Sequence, residues 1–362
     1  MDNPFLAVAP PEPDPFIAGT PRREPLTFTG RGREYFGIWI VNLVLSVVTL
    51  GIYSAWAKVR RLQYFHRNTS LAGSAFDYHG DPRAILKGRI IGLVLLLAYN
   101  LSFDVSLWLG IVTLLLLAIV MPRLLMRSLR FRARNTSWRG LRFGFDGGLR
   151  EAYSVFLLWP VLSVFTAYLL APIWHQRLKT YQFRHARFGA TRFAIQLRES
   201  SFYKIYGVAL LVGMAAFLLA LVATVGVVAA AGTLGEGRAT PLMLGLAVVG
   251  LMWLLLALLV WPYVSARLQN LVWNNLTLGP HRFQSAVRVR TLYLITFTNL
   301  LATVFTLGLF MPFATIRLLR YRIESVTLLA GGPLDDFLAA PGQDVAATGE
   351  ETADLFDVDI AL

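Results

Sequence analysis

In a chain of 362 residues, 56% are hydrophobic and only 15% are charged, a balance that excludes an ordinary soluble domain. Cysteine is absent, which rules out disulfides, thiolate nucleophiles and cysteine metal ligands. The net charge of +13 is uneven: residues 331–362 carry eight acidic residues and no Lys or Arg, leaving +21 on the first 330, so anionic lipid headgroups are the expected partners and nucleic acid is not.

The opening MDNPFLAVAPPEPDP has no basic n-region and no short apolar core, so a secretory signal is not expected. Residues 1–25 are Pro-rich and aperiodic and read as a disordered lead-in. Uncharged runs then cover 35–57, 90–103, 105–122, 152–176, 205–235, 239–266 and 291–316. Several exceed the ~18 apolar residues of a membrane span. The predicted class is a mostly α, polytopic membrane protein with a membrane domain over 26–330. The acidic tail, 331–362, reads as loose from 334 onward, although LFDVDIAL alternates like a strand; the tail could also cover the basic face as an internal pseudo-ligand.

Within 26–330 the chain repeats itself. TLGIYSAWAKVRRLQYF (Thr49–Phe65) returns as TLGLFMPFATIRLLRYR (Thr306–Arg322), with seven of seventeen positions identical. Taking Ala55, Pro122, Pro172, Pro262 and Pro312 as anchors, the fifth position onward is always arginine: Arg60, Arg127, Arg177, Arg267 and Arg317. The ninth gives Tyr64, Phe131, Tyr181, Leu271 and Tyr321; the twenty-first gives Phe76, Phe143, Phe193 and Phe283, with Pro333 departing. The expected units are near 28–84, 85–147, 148–198, 203–287 and 288–330. Each reads as an apolar helix, an Arg-bearing amphipathic helix and a short β-hairpin. The hairpins are expected to form a small cytoplasmic-side β layer.

Basic residues discriminate between topologies. If all seven runs span, Lys and Arg divide 15 to 19 across the membrane and predict no orientation. If 35–57, 152–176 and 291–316 enter and return on one face, 33 fall on that face and Arg238 alone on the other. The positive-inside rule then favours re-entry, with both termini cytoplasmic, and Gly51, Pro160 and Gly308 offer the breaks. Seven spans with inverted repeats remain the competing topology.

The five equivalent arginines suit phosphate or carboxylate groups, because guanidinium is a bidentate donor; snorkelling anchors at helix ends are the plainer reading. Asn42 and Asn299 each lie seven residues, two helical turns, before Thr49 and Thr306, and so share a face with them. These four intramembrane polar residues could line a polar path or hydrogen-bond neighbouring helices. Asp104 reads as a turn residue. No catalytic motif, metal-ligand spacing or cofactor signature is found, and Asp77, His79 and Asp81 supply only a faint lipid-modifying reading.

FTGRGREYF, NLVLSVVTLGIYSAWAKVRRLQYFHRNTSLAGSAFDYHG and ILKGR together resemble the YjgN-like bacterial inner-membrane proteins, whose shared region is classed as a domain of unknown function. The resemblance runs from about residue 26 to 330, with its specific signature in 28–90; TLG is missing from the second, third and fourth copies. It implies a bacterial inner-membrane protein and carries no activity or catalytic residues. The expected function is anionic-lipid recognition or small-solute transport. A membrane scaffold docking a cytoplasmic protein through its β layer is the alternative, and a lipid-modifying enzyme comes last.

Overall fold

A computed structural model describes residues 21–233, 239–334 and 337. Two short strands, β1 (Arg22–Pro25) and β2 (Thr27–Phe28), open the chain. Five helix sets follow, each set off by strands. The first is α1 (Gly32–Val48) with α2 (Ser54–Arg67), then β3 (Thr69–Leu71) and β4 (Ser74–Tyr78). Next come α3 (Pro82–Val105) and α4 (Leu107–Asn135), then β5 (Thr136–Trp138) and β6 (Leu141–Phe145). The third set has α5 (Leu149–Tyr153), a π-helical turn (Ser154–Leu158), α6 (Trp159–Phe165) and α7 (Ala171–Arg184), leading to β7 (Ala186–Phe188) and β8 (Thr191–Ile195). Then α8 (Glu199–Thr233) and α9 (Ala239–Asn274) lead to β9 (Leu276–Leu278) and β10 (His281–Ser285). Last are α10 (Val289–Phe305), α11 (Met311–Glu324) and β11 (Val326–Ala330).

All eleven strands form one antiparallel sheet in the order β1-β11-β10-β9-β8-β7-β6-β5-β4-β3-β2. The run 22–28 bends it into a near-barrel. Its first half pairs with β11, its second half with β3, and between them the Leu26 N–H donates to the Val326 carbonyl at 3.0 Å. Unpaired strand edges are thereby closed. Two-residue turns join the hairpins: Ala72-Gly73 and Arg139-Gly140 have both φ values positive, the type I′ pattern that matches strand twist. Because every turn lies at one end of the barrel, every helix set leaves from the other.

The side chains that alternate inward are mostly aromatic. Phe76, Phe143, Phe193 and Phe283, the four phenylalanines at equivalent spacing, stack in succession on β4, β6, β8 and β10, with centroids 6.3, 6.4 and 6.3 Å apart. These separations lie within the favourable range for aromatic pairs. The tyrosines at equivalent spacing hold the starts of the first helices. Tyr64 accepts from the Arg31 N–H at 2.8 Å and donates to its carbonyl; Tyr321 does the same at Arg288, and Tyr181 donates to the Gly148 carbonyl. Arg31, Gly148 and Arg288 are the residues at which those helices begin, so one side chain fixes where each helix leaves the sheet.

The apolar runs 35–57, 152–176 and 291–316 are not single helices. Each reverses at a threonine: Thr49 Oγ1 donates to the Leu45 carbonyl (2.7 Å) and accepts from the Tyr53 N–H (2.9 Å), and Thr306 repeats this with Ala302 and Phe310. Gly51 and Gly308, at φ 90° and 93°, take the left-handed backbone the reversal needs. In the third unit Thr166 does the same with Leu162 and Leu170, so the break falls at 166–170 and not at Pro160, which lies in the first turn of α6. Ala167 and Tyr168 bear the positive φ there, which is why the TLG pattern is invisible in that copy. The reversal tips are apolar and open, with Leu50 and Leu307 each 95% exposed. Asp104, expected as a turn residue, is helical, in the last turn of α3 two residues before the reversal at Ser106.

Three expectations need correction. The small β layer is a single eleven-stranded near-barrel, because the N-terminal run and β11 join the hairpins. The lead-in expected to be structureless over 1–25 contributes β1 at Arg22–Pro25, while 1–20 lie outside the described residues. The tail from 331 starts in order, with Phe337 packed on Phe188 and His281 at 5.0 and 5.3 Å; LFDVDIAL and Arg238 lie outside the described residues.

The threonine clamp predicts that Thr49→Val costs about 1 kcal/mol, since it leaves the half-buried Tyr53 N–H without its acceptor. Thr49→Ser should remain near the parent in a thermal melt of detergent-purified protein. Equal melting of the two variants would show that the hydroxyl does not hold the turn.

Candidate functional site

On α2, Lys58, Arg61, Leu62, Phe65 and His66 follow the spacing i, i+3, i+4, i+7, i+8, which puts all five on one face of the helix. That face looks into a cavity of about 350 Å³ at the barrel mouth from which the helices leave. Each of the second helices contributes to its wall: Arg132 and Ala133 from α4, Phe183 from α7, Trp273 from α9 and Leu319 from α11. Strand residues Tyr78, Phe143 and Phe193 form the floor. Three cationic side chains, Lys58, Arg61 and Arg132, thus meet an aromatic wall, and no Asp or Glu is among the described lining residues. Lys58 is the most enclosed, at 6% exposure.

Helix dipoles do not decide the potential here. Five helix C-termini reach this mouth, and each would favour cations, but five helix N-termini leave from it and largely cancel them. The side-chain charges therefore dominate, and in an apolar cavity their field is screened less than at a surface. Deeper in the barrel the stacked rings leave only about 30 Å³, lined by Leu71, Trp138, Phe188 and Phe283 among others. That is about the volume of one water molecule. The barrel is accordingly a packed core with an open cationic mouth.

The five equivalent arginines do not converge on the cavity. Arg60 reaches the Tyr53 hydroxyl (3.3 Å), Arg317 the Thr298 Oγ1 (2.8 Å), Arg177 lies over the Trp159 ring and near Glu199 (3.7 Å), and Arg267 lies over Tyr263. These four are exposed and Arg127 is half-buried on α4. Four of them thus contact the helix set to which they belong, Arg177 also meeting the start of α8. Asn42 and Asn299 are buried but donate to the Ala57 and Ala314 carbonyls of the paired helix (3.4 and 3.1 Å), closing the hairpins where Thr49 and Thr306 turn them. The polar-path reading of these four residues is not favoured by this geometry.

Sequence reasoning passed over Lys58, Arg61 and Arg132 because they break the five-fold pattern. A signal for Lys58 and Arg61 existed in the helical stripe of α2, whereas Arg132 lies on α4 and shares no stripe with them. The faint enzymatic set does not assemble: Asp77 bonds Arg67 at 2.8 Å, His79 Nε2 lies 2.7 Å from Ser137 Oγ, and Asp81 accepts from the Arg83 N–H. Partial burial acts to raise the Asp77 carboxyl, yet the Arg67 guanidinium and the Tyr78 N–H outweigh it and hold the group below its ordinary range. Such a carboxylate is a weak base.

An aromatic-filled strand cylinder joined to apolar helix sets defines the class, and three of the described helices, Pro82–Val105, Leu107–Asn135 and Glu199–Val227, are long and apolar enough to cross a membrane. The chain belongs to the family described as bacterial protein of unknown function (DUF898), whose model matches residues 23–355. It is 31% identical over 146 residues to the inner membrane protein YjgN of Salmonella typhimurium, covering 40% of this chain and 37% of that one. Against YjgN of Escherichia coli K12 and O157:H7 it is 31% and 30% identical over 142 residues, or 37% of this chain and 34% of each relative. The matched region thus spans little more than a third of these relatives. No solved structure matches.

If the ring stack is the core of the cylinder, Phe188→Ala, at a site 1% exposed, should cost about 3–5 kcal/mol. Exposed Ala190→Ser should shift the melting midpoint little by comparison. A Phe188→Ala protein that melts with the parent would refute a packed lumen.

Proposed function

We propose that this protein is a multi-pass, non-enzymatic receptor of the bacterial inner membrane, which takes a phosphate- or carboxylate-bearing ligand into the cationic cavity. The observation carrying this reading is the convergence of Lys58, Arg61 and Arg132 on one aromatic-walled cavity. A charged head would meet the guanidinium and ammonium groups through charge-assisted hydrogen bonds. An apolar stem would lie on Phe65, Phe183 and Trp273. A lipid headgroup and a free anion share this chemistry. Transport through the barrel is not favoured, since ~30 Å³ admits no hydrated ion.

Helix lengths support the re-entrant topology. The 24 residues of α3 reach about 36 Å and can cross a ~30 Å hydrocarbon layer, whereas the 17 residues of α1 and of α10 reach only about 25 Å. Their exposed Leu50 and Leu307 tips would end within lipid. With the barrel and both termini on the cytoplasmic side, the outer arginines lie at the level of the headgroups.

Two measurements test the reading. Replacing Lys58, Arg61 and Arg132 with Gln should weaken binding of inorganic phosphate or of phosphatidylglycerol in nanodiscs by at least about tenfold, the worth of one charge-assisted bond. The same change at Arg60, Arg177 and Arg317 should leave binding within about twofold. Phosphate without lipid binding would identify a free anion, and the reverse a headgroup; equal losses in both triples would remove the cavity from consideration. For topology, impermeant thiol reagents should reach Asp104→Cys from outside, reach Ala75→Cys and Ala190→Cys only from inside, and miss Leu50→Cys. Labelling of Leu50→Cys from outside would show that the first hairpin crosses.

A further inference from the structure

The chain leaves the end of β11 at the turn side of the barrel and folds back over it. A Cβ on Gly331 would sit 2.5 Å from the Pro280 carbonyl oxygen, so the backbone passes that strand turn too closely for any other residue. Leu334 and Phe337 then close the lumen, with Phe337 against Phe188 and His281. Phe143 and Phe193 line both this end and the cationic cavity at the other, so the two cavities are the ends of one lumen. Beyond Phe337 lie 25 residues carrying Asp344, Glu350, Glu351, Asp354, Asp357 and Asp359 and no basic residue.

We infer that the acidic segment 338–362 is an intramolecular ligand of the Lys58–Arg61–Arg132 cavity and competes there with the external anion. The inference deepens the receptor reading by naming what regulates the same site, and for that competition it rests on that reading. Reach is no obstacle. Because the lumen is packed, the segment runs outside the sheet, along a strand of about 17 Å and over the rim, and the 25 residues beyond Phe337 span roughly 80 Å when extended. Charge complementarity selects this occupant: the cavity wall is cationic and aromatic, and the segment 354–362, DLFDVDIAL, alternates acidic with apolar residues. Tethering then makes a weak contact effective. At an effective concentration of about 1 mM, a segment with an intrinsic Kd of about 100 μM is ~90% docked and lowers the apparent affinity for an external anion about tenfold.

The absence of cysteine allows a clean test in the full-length protein. Leu62→Cys, on the cavity wall, is paired in turn with Cys at 344, 350, 354, 357 and 359, and Arg60→Cys, exposed on α2 away from the cavity lining, serves as the control partner. In detergent, under mild oxidation, at least one Leu62→Cys pair should close about tenfold faster than its Arg60→Cys counterpart. No pair exceeding the control would overturn the inference. In parallel, neutralising the six carboxylates to Asn or Gln should tighten phosphate or phosphatidylglycerol binding about tenfold. If binding is measurable but unchanged, competition is refuted while the receptor reading stands. If cross-links form and no chain binds either anion, the receptor reading fails and the segment is the cavity's own ligand.

Discussion

Backbone pairing around the cylinder is the constraint on which the rest of the molecule depends. A sheet of short strands carries N–H and C=O groups along both edges, and each is left unpaired unless the edges are closed. The run 22–28 meets both edges, giving one half to β11 and the other to β3. Once the sheet is closed, the strand ends that face the helices are fixed around a ring. Each helix set must therefore start and finish at neighbouring points on that ring, which makes hairpins the natural solution.

Inside the cylinder the same pleat sends alternate residues inward, and most of the deeper ones are aromatic. Stacked phenylalanines fill the volume that a barrel of this size would otherwise leave open to water. The helices then differ in length above a common base. α3 and α4 meet at Ser106 with hardly a break, whereas α1–α2 and α10–α11 turn early on a threonine hydroxyl. At a helix reversal the backbone groups lose their helical partners, and the threonine side chain supplies two replacements in each turn.

Charge is placed on two levels. Arginines at the repeated position face outward and are tied to neighbouring aromatic or hydroxyl groups, a use that suits an interface. Lys58, Arg61 and Arg132 line the cavity where five helices and the sheet meet, with Lys58 buried, Arg132 half-buried and Arg61 exposed at the rim. These three share one described cavity, which is why the binding reading attaches to them. Lys and Arg stems can cover apolar walls while their heads gather in the cavity, so an aromatic lining and a cationic head group are compatible there.

The family resemblance, the apolar helices and the spacing of Tyr64, Tyr181, Tyr321 and the four stacked phenylalanines were all legible along the chain, because local periodicity and composition record which residues face lipid or core. The duties of those residues were not. That Tyr64 holds Arg31 across 33 positions, or that Phe76 meets Phe143, depends on which strands become neighbours, and hydrophobic pattern alone does not encode strand neighbours. By itself the sequence determined a membrane-type chain built on a recurring spacing of Arg, Tyr and Phe. Closure of the sheet, the place of the third reversal at Thr166 and the meeting of Lys58 with Arg132 were decided only by tertiary structure, since each brings together groups whose proximity has no local cause.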